Sequence, residues 1–117
     1  EKFFQKALKA DSGDANINGN YAGFLLASGR ITEAIPFLEQ AESYAEDNDL
    51  RLELHFYRLA HFPDRAQASR QAIDELLVQG ARSPSWDLTR NIERAELDGC
   101  EYVEELRELA QKIGEDS

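Results

Sequence analysis

The sequence predicts an all-α protein of about seven helices, paired antiparallel and stacked one pair on the next. Three observations carry that expectation. Apolar residues recur at a 34-residue step: Phe4, Leu38, Ala72 and Leu106 form one series, and Ala7–Ala41, Leu25–Leu59 and Ala34–Ala68 repeat it. Asn18, Leu52 and Trp86 follow the same step. Within each unit the apolar positions keep the 3.6-residue helical period, and period-two alternation occurs only in Leu50–Leu54, where Phe56, Leu59 and Ala60 carry the helical pattern onward. A helical hairpin of this length cannot bury its apolar face alone, so copies stack into a continuous core and leave an extended groove.

The elements follow in order. Residues 1–11 place Phe4, Ala7 and Leu8 on one face of an amphipathic helix, and Ser12-Gly13-Asp14 interrupts it. Asp14 is placed to cap the next helix, 15–28, whose stripe is Tyr21, Ala22, Leu25 and Leu26, with Gly29 as its stop. Ala34, Ile35, Leu38 and Ala41 mark a helix from Ile31 to about Ala45, with Pro36 in its first turn or just past it, where the missing amide costs least.

The polar run 46–49 leads to a helix with Leu52, Phe56, Leu59 and Ala60 inward, broken by Pro63 and Asp64. Ala68, Ala72, Ile73, Leu76 and Leu77 form the next stripe, closed by Gly80. In the break at 80–85, Ser83 is a cap candidate and Pro84 takes the first helical position of a helix near 85–97. After Asp98-Gly99, a last helix from about Cys100 to Ile113 turns Val103, Leu106, Leu109, Ala110 and Ile113 inward and Glu101, Glu104, Glu105 and Glu108 to water.

Composition narrows the function. Thirteen basic against 23 acidic residues give a net charge of −10, a field that repels a phosphate backbone and argues against nucleic acid. The middle, 50–80, is neutral, with Arg51, Arg58, Arg65 and Arg70 available to an acidic partner. The longest apolar runs, such as Phe24–Ala27, fall far short of the ~18 residues of a membrane helix, so no membrane insertion is expected. The chain contains no methionine and reads as a segment of a longer protein.

Candidate chemistry is sparse. Asp14-x-Asn16-x-Asn18-Gly19 fits the opening of an EF-hand calcium loop, but Leu25 stands at the twelfth position, where a bidentate carboxylate is needed. His55 and His61, six apart, fall on different helix faces and do not form an i, i+4 zinc pair. Cys100 is the single cysteine, which leaves no internal disulfide and no thiolate cluster, and no histidine lies near it in sequence. Neither a glycine-rich phosphate loop nor a serine elbow is present. The expectation is therefore no metal, no cofactor and no catalysis by this chain.

Residues 20–41, NYAGFLLASGRITEAIPFLEQA, resemble the core of a tetratricopeptide repeat. Tyr21 and Ala22 match the large-small pair of that family's first helix, Leu25 the next large position and Gly29 the turn. Ala34, Leu38 and Ala41 match the small, large and small positions of its second helix. The resemblance implies a right-handed superhelical stack. It also implies four units: 1–14 as the second helix of a truncated repeat, 15–48 as a repeat, 49–82 as a weaker one and 83–117 as a degenerate or capping one.

In that family ligands lie on the concave face lined by the first helix of each pair. Carried over, that face holds Asn16, Gly19, Asn20, Gly23 and Ala27, then Glu53, Leu54, Tyr57 and His61. Of the set that clamps a partner's terminal carboxylate in some members only Asn20 matches; Gly19, Gly23, Leu50 and Leu54 replace the rest, which disfavours that clamp. The implied function is a scaffold that binds a partner's peptide or helix in its groove. The alternative is a non-catalytic regulatory or assembly domain attached to an enzyme or envelope protein.

Overall fold

The computed structural model describes residues 1–11, 13–84 and 86–114. Ser12 of the expected interruption, Ser85 at the expected start of the sixth helix and the last three residues of the expected capping unit lie outside that set. Seven α-helices occur among the described residues: α1 (Lys2–Ala10), α2 (Ala15–Ala27), α3 (Ile31–Tyr44), α4 (Asn48–His61), α5 (Ala66–Val78), α6 (Thr89–Leu97) and α7 (Val103–Gly114). The described residues contain no strand, and none of their helices is long and apolar enough to cross a membrane. The fold class is all-α helical repeat.

Local chemistry sets the helix limits. Asp14 caps α2 by accepting the Ile17 amide at 2.9 Å, and Asp47 caps α4 through the Asp49 amide at 3.0 Å. Gly29 ends α2 at φ +81, a left-handed conformation that glycine adopts without strain, while the Arg30 amide returns to the Leu25 carbonyl at 2.9 Å. Pro36 is the sixth residue of α3, just past its first turn, so the only backbone donor it deletes is the one toward Thr32. At the end of α4, Pro63 likewise has no N–H for the Leu59 carbonyl. The Tyr102 hydroxyl donates to that carbonyl instead, at 2.8 Å.

Two hairpins, α2–α3 and α4–α5, form the body. Across the first, Ala22, Leu25 and Leu26 meet Ala34, Leu38 and Ala41, all fully buried, with small residues letting the helix axes approach and leucines filling the space beside them. The 34-residue series survives as packing: Leu38 and Leu106 are fully buried, and Phe4 and Ala72 partly. α4 is the central helix, packed on α2, α3, α5 and α6. Leu50, Leu52 and Leu54 are all buried, which explains their alternation: a helix covered on several sides needs no polar face there. α1 covers the open side of α2, stacking Phe4 on Tyr21 and setting it tilted against Phe24, and the Glu1 carboxylate accepts the Tyr21 hydroxyl at 2.7 Å.

Several expectations are corrected. Ala68 is exposed and Ser69 takes the buried place at the start of α5, while Ile73 stays buried and Ala72, Leu76 and Leu77 partly buried as expected. Ser83 and Pro84 belong to no helix; α6 starts at Thr89, and Ser83 uses its amide on the Ile113 carbonyl and its hydroxyl on Glu53. The last helix starts at Val103, so Cys100 lies in the turn before it. Glu105 does not face water alone: it takes both nitrogens of an Arg70 fork, at 2.6 and 2.7 Å. Arg58 is buried, paired through two hydrogen bonds with Glu42 and lying over the Phe62 ring. The arginines at 58 and 70 are thus committed within the fold, not held out to a partner.

Candidate functional site

The side of the molecule where α2 and α4 run next to each other is covered by the chain itself. α6 packs on both helices, and the segment leading into it sets Trp86 edge-on against Tyr57, with ring centroids 4.8 Å apart. One residue joins the three helices. Asn91, buried within the α6 stripe Leu88, Ile92 and Ala95, donates its side-chain amide to the Gly23 carbonyl of α2 at 3.2 Å and lies 3.1 Å from Nε2 of His61 on α4. An amide nitrogen carries only donor hydrogens, so Nε2 must accept and the imidazole proton resides on Nδ1. Burial, with Arg94 adding and Asp98 opposing, holds His61 down to about 4, in keeping with a neutral ring that accepts a hydrogen bond.

Close approach explains the glycines. A Cβ on Gly23 would stand 2.1 Å from the Tyr57 hydroxyl oxygen, so only glycine lets that phenol lie against α2. A Cβ on Gly19 would meet Leu54 at 3.4 Å and Leu50 at 3.5 Å. Gly19, Gly23, Leu54 and Tyr57 are accordingly buried in the α2–α4 contact. Burial also pushes the Tyr57 phenol far above its ordinary range, which keeps it neutral.

The other expected positions are more open. Asn16 and Asn20 are exposed on α2, and Ala27 is half-buried near its end. Glu53 accepts the Ser83 hydroxyl at 3.0 Å; burial, reinforced by Asp47 and Asp49, pushes its carboxyl up to about 7 despite that bond. Asn20, Gly23, Ala27 and Tyr57 meet Phe24, Ser28, Trp86, Asp87, Arg90 and Asn91 around an open cavity of about 210 Å³. A second cavity of about 290 Å³ lies at the other end of α6, where His61 and Cys100 share a wall with Ala60, Ala95 and Tyr102. Among the described residues no group of three His, Cys, Asp or Glu side chains is arranged to hold a metal ion.

Sequence reasoning did not assign Trp86, Arg90 and Asn91 to this face. The one available signal was Asn91, a polar residue three positions after Leu88 on an otherwise aliphatic stripe. Buried polar groups in such places are hydrogen-bonded to something.

Comparison with known proteins agrees with the packing of the first hairpin. Residues 1–54, just under half of the chain, match the family model described as tetratricopeptide repeat. This segment is tetratricopeptide-repeat sequence. No curated protein and no solved structure matches the chain. The repeat match ends within α4, so α6, which completes the site, lies beyond it.

Proposed function

We propose that this chain is a non-catalytic interaction module that receives a short peptide or helix of a partner protein on its α2–α4 face; tetratricopeptide repeats generally mediate protein–protein interaction. The observation that carries the reading is the 210 Å³ cavity at the start of α6. Its walls combine aromatic surface from Phe24 and Trp86 with polar groups that the fold leaves uncommitted: among the described residues, the Asn20 side chain makes no hydrogen bond, and the Arg90 side chain has no partner beyond its attraction to Asp87. An amide and a guanidinium beside aromatic walls suit a peptide backbone and an acidic or terminal group. Asn16, Ala27 and the partly buried Glu53 and His61 flank the same face and set its reach.

A peptide library displayed on phage and selected on the immobilised chain tests this reading. The strongest binder is then titrated into isotopically labelled protein. The expected result is a set of amide shifts centred on Asn20, Phe24, Ala27, Trp86 and Arg90, with Arg90→Ala weakening binding. Shifts confined to the outer faces of α3 and α5, or no selectable binder, would overturn it.

A further inference from the structure

α6 occupies its place differently from the other helices. It is nine residues long, like α1, too short to persist as an isolated helix, and its connections set it apart. Leu88, Asn91, Ile92 and Ala95, at i, i+3, i+4 and i+7, are buried against α2 and α4, while Thr89, Arg90, Glu93 and Glu96 face water. Three residues connect α2 to α3 and three connect α3 to α4, but ten, 79–88, precede α6 and five, 98–102, follow it. α7 has its own anchors, Glu105 on Arg70 and the Tyr102 hydroxyl on Leu59, and Ser83 fixes the start of the connection through Glu53 and Ile113. α6 is also joined to α7, through packing and the exposed Arg107–Glu96 ion pair at 2.9 Å, which it gives up on leaving while α7 keeps its other anchors.

We propose that α6 is an exchangeable occupant of the α2–α4 groove, and that the partner segment replacing it is an amphipathic helix with leucine, asparagine, isoleucine and alanine at α6's own i, i+3, i+4 and i+7 positions. The proposal rests on the reading of this face as an interaction surface and adds what it accepts. The asparagine is the discriminating group: without its amide, the Gly23 carbonyl and His61 Nε2 lose the donor that fixes a helix in register. Tethering gives α6 a local concentration of millimolar order, so it excludes weak helices and yields to one that makes the same contacts with added ones to the exposed Asn20 and partly exposed Phe24 of α2; Arg90 leaves with α6.

Native-state hydrogen exchange on the unmodified chain, together with a fluorescein-labelled synthetic peptide of residues 87–98, decides the matter. Amides Ile92–Leu97 should exchange at least about tenfold faster than Phe56–Leu59 of α4, the mark of α6 opening while the body stays folded. The peptide should bind about tenfold more tightly to the Asn91→Ala chain, whose own α6 is weakened, and about tenfold more weakly when the peptide itself carries Asn91→Ala. Exchange of α6 at the α4 rate, or peptide binding indifferent to Asn91 in both molecules, would overturn the proposal. The exchange measurement needs no variant and stands even if Asn91→Ala misfolds. If α6 exchanges with α4 while selected peptides still shift Asn20 and Arg90, exchange is refuted and the interaction reading stands; loss of both removes that reading too.

Discussion

The α2–α3 and α6–α7 hairpins are secured by different chemistry. Between α2 and α3 the contact is alanine against leucine, fully buried, with dispersion and the hydrophobic effect as its adhesives. α6 and α7 attach through named polar bonds as well: Asn91 to Gly23, Tyr102 to Leu59 and Glu105 to Arg70. Non-directional packing tolerates small adjustments and dominates stability. Directional bonds contribute less but fix where an element sits. The repeat hairpin thus behaves as the foundation, and the C-terminal hairpin as a part positioned on it.

Substitutions sharpen that contrast. Leu38→Ala should have the largest effect, lowering stability by about 2–5 kcal/mol in urea unfolding, because it opens a cavity inside the foundation. The whole chain should then unfold together at lower urea; loss of α3 signal alone would break the comparison. Gly23→Ala should cost about 1–3 kcal/mol by forcing the buried Tyr57 hydroxyl away, despite alanine's better helix propensity. A neutral or stabilising result would show that Tyr57 has room to move. Tyr102→Phe should cost about 1 kcal/mol and loosen α7 selectively, since the Leu59 carbonyl then has no donor. Hydrogen exchange in α7 should quicken while α2 and α3 are unchanged.

The acid response separates two partly buried groups on the α2–α4 side. His61 is held down to about 4 against an ordinary value near 6.5, so its contribution is intact above about 6.5 and is lost as pH falls toward 4. Glu53 is pushed up to about 7 from 4.5, so it weighs on the fold above 7 and is relieved as pH falls toward 4.5. The two slopes oppose each other between about 4.5 and 6.5. In Glu53→Gln, stability should fall on acidification across that window by about 1 kcal/mol per pH unit, mainly the His61 slope with a smaller part from His55, which burial also holds down. In His61→Gln the fall should be much shallower, because Glu53 then opposes only the weaker His55 contribution. Equal profiles for the two variants would show that neither group is linked to folding.

Asn20→Ala should change stability by less than about 0.5 kcal/mol while weakening a bound peptide. If it destabilised the chain more than Leu38→Ala, the assignment of foundation and surface would be inverted.

The foundation was legible because a 34-residue step in apolar residues reports neighbours at fixed separation, and Tyr21, Ala22, Leu25, Ala34, Leu38 and Ala41 lie within a single unit. Register was harder where residue sizes were ambiguous: Ala68 and Ser69 are both small, and only packing distinguishes them. The site escaped for a different reason. Asn91 meets Gly23 across 68 residues, and Ser83 meets Glu53 across 30. Ser83 reads locally as a helix cap, and nothing in its neighbours reveals that a distant carboxyl takes its hydroxyl. The glycines at 19 and 23 read as the floor of an open groove, whereas their space is filled by Leu54 and Tyr57.

Trp86 is the chain's single tryptophan, and it rests edge-on against a buried tyrosine at the entrance to α6. The molecule therefore carries its own optical reporter: excitation of Tyr57 passes most efficiently to Trp86 while the pair is in contact, and the indole emission reddens when water reaches it. Ultraviolet fluorescence of the unlabelled chain, followed in time, reads the rate at which this contact breaks and re-forms.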